Sequence, residues 1–257
     1  MNNGSHGAIA MQDRIFLAGA TGAIGTALIP LLRAAGYEVH GATRNADRCA
    51  ALEAAGATPV VVDVFDSAAL RTTLARIRPR HVMHQLTDLA LLGDPARAGE
   101  AARRNARIRD EGTRNLVAAA LAAGSETLVA QSIDWIYAPQ AVRPCDEEQA
   151  LDLDAQGDRR VSVMGVVALE RQVLGAPGIT GTVLRYGRLY GPGTGATARP
   201  ATNALHVEDA AWAALLALRH GGGVFNIAED ESEVSTARAR VTLGWRPGMS
   251  GLPAIAA

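Results

Sequence analysis

Apolar residues along the chain fall into short dense runs, separated by longer stretches in which they recur every three or four positions. Arg14 to Ala18 is almost continuously apolar and enters Gly19, as a strand buried on both faces does. Ile24, Leu28, Leu31 and Leu32 then lie on one helical face, which ends near Gly36. The same alternation predicts a strand over Val39–Ala42, a helix over Asp47–Ala55, a third strand over Pro59–Asp63, a helix over Ser67–Ile77 with Ser67 as its N-cap, and a fourth strand over His81–His84. Beyond these the pattern predicts a long helical region over Ala96–Ala123, a strand over Thr127–Gln131 and an acidic loop over Pro139–Asp158. A helix ending near Leu174, a strand over Gly181–Arg185, a Gly-rich loop, a helix over Glu208–Arg219 and a strand over Val224–Ile227 follow. Helices following strands imply a parallel, doubly wound α/β sheet with right-handed crossovers.

The first strand-to-helix turn reads Gly19-Ala20-Thr21-Gly22-Ala23-Ile24-Gly25. Each glycine has its own reason: Gly19 for the tight turn, Gly22 for close backbone approach to a pyrophosphate, Gly25 for close packing of helix on strand. The N–H groups of Thr21, Ala23 and Ile24 stand at the helix start, where the dipole favours anions. The strand-turn-helix context and the further βα units make this a dinucleotide site rather than an ordinary tight turn. At the end of the second strand, where an NAD site carries an acid for the ribose 2′-hydroxyl, stand Thr43 and Arg44, with Arg48 four residues on. A hydroxyl and a guanidinium suit a 2′-phosphate, so NADP(H) is expected over NAD(H). Residues 12–185 are expected to form the Rossmann domain, and residues 186–257 a small substrate-side portion integrated with it.

Composition narrows the partners. The chain has 257 residues, 48% of them hydrophobic and 20% charged, with 25 basic against 26 acidic side chains and a net charge of −1. Such a balance gives no reason to expect nucleic acid or an anionic membrane. No apolar stretch reaches membrane-spanning length, and Met1–Gln12 lacks the basic and apolar regions of a signal peptide. Cys49 and Cys145 are expected as free thiols in a reducing cytoplasm. All 25 basic residues are arginine; Schiff-base chemistry, a P-loop lysine and a Tyr-Lys couple are thereby excluded. His81 and His84, three apart on a strand, point to opposite faces and share no metal.

Taken together, several motifs resemble the extended short-chain dehydrogenase/reductase superfamily, in its epimerase/dehydratase-like group. They are the Gly19-x-x-Gly22-x-x-Gly25 turn, Asp63-Val64, His84, Glu111 to Leu116, Leu184-Arg185-Tyr186, Tyr190 to Gly193, His206 to Ala210 and Gly244 to Pro247. The resemblance implies that Asp63 and Val64 contact the adenine and that His84 and Thr87 lie beside the cofactor ribose. It implies a Tyr-x-x-x-Lys couple and a Ser or Thr, but those places hold Ser162, Val166 and Ile133. Ser132, Asp134 and Tyr137 flank the same loop and become the catalytic candidates; Asp134 falls where nucleotide-sugar dehydratases carry an acid. Arg188 stands where relatives contact substrate and is the substrate-binding candidate. The resemblance further implies a homodimer through the 96–123 and 160–174 helices, the second of which is apolar nearly all round.

Three functions stay open at this level. One is an NADP(H)-dependent oxidoreductase or epimerase-like enzyme acting on a small carbonyl or hydroxyl substrate through an unusual site. Another is a non-catalytic NADP(H)-binding redox sensor or partner-binding protein. The last is a non-redox cyclase or dehydratase on the same fold.

Overall fold

A computed structural model describes residues 13–88, 91 and 95–252; the N-terminal stretch Met1–Gln12 lies outside the described residues. Nine strands and seven α-helices are described. They run β1 (Arg14–Ala18), α1 (Ala23–Ala34), β2 (Glu38–Thr43), α2 (Cys49–Ala54), β3 (Thr58–Val61), α3 (Ser67–Ile77), β4 (His81–His84), α4 (Ala98–Arg107), α5 (Thr113–Ala123) and β5 (Thr127–Ile133). After these come α6 (Gly157–Leu174), β6 (Thr180–Tyr186), β7 (Arg188–Tyr190), β8 (Ala204–His206), α7 (Val207–His220) and β9 (Gly223–Ile227).

Seven strands form one sheet in the order β3-β2-β1-β4-β5-β6-β9, and every pairing is parallel. Strands buried on both faces need apolar side chains throughout, and Ile15, Phe16, Leu17, Val82 and Met83 are fully buried. Helices α1 and α7 cover one face, with Leu28, Leu32, Trp212 and Leu215 in the core. Helices α3, α5 and α6 cover the other, with Leu70, Leu74, Leu116 and Val173. The strand order reverses beside β1, between β2 and β4, so a crevice opens there at the carboxyl ends of the strands. A two-stranded pair, β7 with β8, stands beyond β6.

Local chemistry moves several boundaries. Helix α3 is capped by Asp66, whose carboxylate accepts from the Ala69 N–H at 2.9 Å, and not by Ser67, which is its first residue. The helix expected over Asp47–Ala55 begins as a 3₁₀ turn, Ala46–Arg48, started by Asn45, whose side chain accepts from the Asp47 N–H. Pro59 is tolerated because β3 is an edge strand and its missing N–H costs no ladder bond. The long helical region does not run straight from Ala96 to Ala123. A π-helical turn, Ile108–Gly112, interrupts it between α4 and α5.

Candidate active site

The glycine turn is built as its spacing requires. Gly19 has φ +89°, and a Cβ there would stand 2.4 Å from the Gln85 carbonyl oxygen, so the close approach of β1's end to the loop after β4 admits no side chain. A Cβ on Gly25 would meet the Gly19 carbonyl oxygen at 2.3 Å. Gly22 is the N-cap of α1 and no side chain caps it, which leaves helix-start N–H groups open to a ligand. A cavity of about 360 Å³ lies over this turn. Gly19, Thr21, Gly22, Ala23 and Ile24 form its floor, Thr43 and Arg44 one end, and Val64 part of the wall. Gly25 supports the floor from beneath. Arg44 is exposed at the rim and has no ion-pair partner among the described residues. Gln85 lines the same cavity and is 4% exposed; the Tyr186 hydroxyl approaches its side chain, but neither amide atom is in hydrogen-bonding geometry with a described residue. A buried orphan amide, a glycine floor and an uncapped helix start fit a dinucleotide.

Two expected cofactor residues act from behind this surface. The Asp63 carboxylate accepts from the Phe65 N–H at 2.9 Å and shapes the loop that presents Val64. His84 is fully buried; its Nδ1 accepts from the Leu86 N–H, and its Nε2 lies 3.0 Å from the Thr113 hydroxyl. Burial, aided by the Arg109 charge, pushes its pKa down to about 4, so it is a neutral brace beneath Gln85 and Leu86. Neither Asp63 nor His84 lines the cavity.

A second cavity of about 650 Å³ adjoins the first, and Thr87, Gln131 and Leu189 line both. Ser132, Ser162 and Arg188 line it, as does Trp135. The Ser132 hydroxyl donates to Glu170 Oε1 at 3.1 Å. Glu170 is gripped by Arg185 through two bonds, of 2.9 and 2.7 Å, and both side chains are buried. Arg185 donates to the Tyr137 hydroxyl at 2.8 Å, and that hydroxyl donates to Asn226 Oδ1 at 2.6 Å. Burial pushes Tyr137 up to about 12. The three catalytic candidates are therefore not brought together. Only Ser132 reaches the large cavity, with its proton directed inward; Tyr137 is a neutral link in a buried chain. Asp134 faces a small polar cavity of about 120 Å³ that Tyr137 also lines.

Asp134 is 1% exposed, and neither carboxylate oxygen is in hydrogen-bonding geometry with a described residue. Burial pushes its carboxyl up to about 7; the Arg188 charge and the nearby Asn203 amide oppose this only in part. The Thr87 hydroxyl, at the junction of the cavities, donates to Asn105 Oδ1 at 3.0 Å. Asn105, Arg109 and Gln85 are wall residues that sequence reasoning passed over. For Arg109 a signal existed, since no acid stands three or four residues from it on its helix.

The profile of the NAD dependent epimerase/dehydratase family matches residues 15–205. The chain belongs to that family. A 3-diazoavenalumate denitrifying reductase from a Streptomyces species is 38% identical over 238 residues, covering 85% of this chain and 76% of the relative. Among solved structures, a UDP-glucose 4-epimerase of Thermotoga maritima with UDP-glucose superposes with TM-score 0.73 at 19% identity, over 91% of this chain and 94% of that one. The Bordetella bronchiseptica enzyme WbmG in complex with NAD superposes with TM-score 0.71 at 19% identity, over 93% and 90%. These two likenesses establish the fold. No described helix is long and apolar enough to cross a membrane.

The Asp134 environment makes a pH prediction. Its folded pKa lies above the unfolded value, so the stability linked to it is present below about pH 4 and is lost as pH rises to about 7. Denaturant unfolding from pH 4 to 8 should show Asp134→Asn gaining on the wild type by up to about 4 kcal/mol at the alkaline end. Parallel curves would mean that the carboxyl is solvated.

Proposed function

We propose that the chain is an NADP(H)-dependent reductase that replaces the diazo group of a small aromatic acid by hydrogen, with release of N2. The observation that carries this reading is the shortage of proton donors where the two cavities meet. The Ser132 and Thr87 hydroxyls donate inward, Tyr137 and Asp134 stand off the substrate cavity, and Ser162, which does line it, is a plain alcohol one turn from the fully buried Val166 with no lysine to activate it. Reducing a carbonyl requires a hydride and a proton, usually from a positioned acid. Replacing a diazonium group by hydrogen takes up one hydride, releases N2 and consumes no net proton, so charge balances without an acid. The reductase relative's name specifies a diazo substrate and loss of nitrogen. Of diazonium cations only aryl ones persist in water, and Trp135 and Leu91 give the cavity apolar wall for a ring.

When bound, the reduced nicotinamide supplies the hydride. Gly19, Thr21, Gly22, Ala23, Ile24 and Gly25 form the seat for its phosphates, and Val64 with Asp63 the adenine side. His84 holds the loop that carries Gln85 in place. Thr43 and Arg44 favour the 2′-phosphate: Arg44 is unpaired at the rim, and the end of β2 carries no carboxylate. Arg188 stands on the substrate side. The same reading includes a homodimer through α4, α5 and α6, supported by exposed Met164 and by the groove that Ala106, Met164, Gly165 and Ala168 line. It also includes a reducing, cytoplasmic setting for free Cys49 and Cys145.

The test uses 4-carboxybenzenediazonium with NADPH. NADPH consumption above the uncatalysed rate, matched one to one by N2 and benzoate, is the expected result; oxidation with aldehydes or ketones but not with the diazonium would refute the reaction. With the same substrate, Arg44→Glu should lower kcat/KM for NADPH by about tenfold or more and leave NADH nearly unaffected. Equal losses with both would refute the 2′-phosphate contact.

A further inference from the structure

Six arginines crowd the helical region that walls the substrate cavity; four are ion-paired, and Arg103 is unpaired but exposed to solvent. Arg97 and Arg104 pair with Glu100, Arg107 with Glu111, and Arg114 with Asp110, each three or four residues away. Arg109 does not. Its neighbours at those spacings are Asn105, Ala106, Gly112 and Thr113, none of them acidic. It sits in the π-helical turn, where an extra residue changes the side-chain direction relative to a regular helix. Arg109 lines the 650 Å³ cavity, and its guanidinium makes no hydrogen bond or ion pair with any described residue. Burial alone pushes its pKa down to about 10, so it remains a cation at neutral pH.

The rest of the cavity does not neutralise it. Arg188 lines the same space, and its side chain likewise bonds no described residue. Arg159 is already held by Asp152 and by the carbonyls of Trp135 and Tyr137. The one carboxylate on the lining is Asp158, which is exposed and lies against Gly99. Buried charges in proteins are otherwise paired. A half-buried guanidinium left without an anion on the wall of a ligand-sized cavity is complementary to an anion that arrives from outside.

We infer that Arg109, with Arg188 lining the same cavity, seats the carboxylate of the substrate and selects aromatic acids over their neutral counterparts. This rests on the reductase reading for the identity of the acid, but the seat itself is a property of the cavity. A guanidinium fork offers two parallel N–H donors to the two oxygens of a carboxylate, so it orients as well as attracts.

Binding is measured without chemistry by calorimetric titration of cinnamate and of cinnamamide into the protein saturated with NADP. Cinnamate should bind the wild type at least about tenfold tighter than cinnamamide. Arg109→Gln should weaken cinnamate by about thirtyfold, Arg109→Lys should recover part of that loss, and cinnamamide should be unchanged by either. NADP affinity, unchanged in both variants, reports that the fold is intact. Equal binding of acid and amide to the wild type, no binding of cinnamate, or cinnamate affinity within threefold in Arg109→Gln would overturn the seat. If cinnamate depends on Arg109 while the diazonium is not turned over, the reaction falls and the seat stands. If the diazonium is turned over with an unaltered KM in Arg109→Gln, the seat falls and the reaction stands.

Discussion

Glu170 and Arg185 are buried together at the junction of α6 and β6, and neither tolerates being left alone. Removing one partner of such a pair typically costs about 3–5 kcal/mol, because a charge remains without water or counter-ion. The pair is extended at both ends by neutral hydroxyls, Ser132 through Glu170 and Tyr137 through Arg185, and finishes on Asn226 of β9. Four elements that frame the substrate side, β5, α6, β6 and β9, and the loop after β5 are thus tied by one run of bonds. The same run determines the chemistry. It commits the Ser132 proton to Glu170 and the Tyr137 proton to Asn226, while burial keeps Tyr137 neutral against the pull of Arg185, so both hydroxyls are employed in holding the walls.

The cofactor side follows a different constraint, that of close backbone approach. Gly19 and Gly25 stand where any Cβ would strike a carbonyl oxygen, which brings the start of α1 down onto the sheet at the point where the strand order reverses. His84 and Asp63 support this surface from behind. One half of the cleft is therefore specified by missing side chains. The other half carries positive charge: Arg109 and Arg188 line it, and neither is ion-paired with a described residue.

Much of this was legible in the sequence because it is local. Continuous apolar runs such as Ile15–Ala18 identify strands buried on both faces, and the glycine turn identifies itself by spacing and context. What failed was decided by competition or by distance. Asp66 outcompetes Ser67 as a cap, being one residue earlier with its carboxylate in reach of Ala69. The π turn leaves no mark on the apolar periodicity of residues 96–123. The three-residue strands β7 and β8 are too short to show a period. Tyr137 could not be placed, since its partner Asn226 lies 89 residues away, and the burial of Asp134 depends equally on folding. Arg109 was readable in principle, from the absence of an acid at i±3 and i±4 among arginines that all have one.

The proposed reaction delivers hydride without a protein proton donor. Single-turnover rates of N2 release from 4-carboxybenzenediazonium, with NADPH and with its C4-deuterated form, in H2O and in D2O, test it most directly. The account predicts a primary isotope effect from the cofactor and none from the solvent across neutral pH. A solvent isotope effect of about two or more, tied to a group titrating near neutrality, would contradict it and return the proton to the protein.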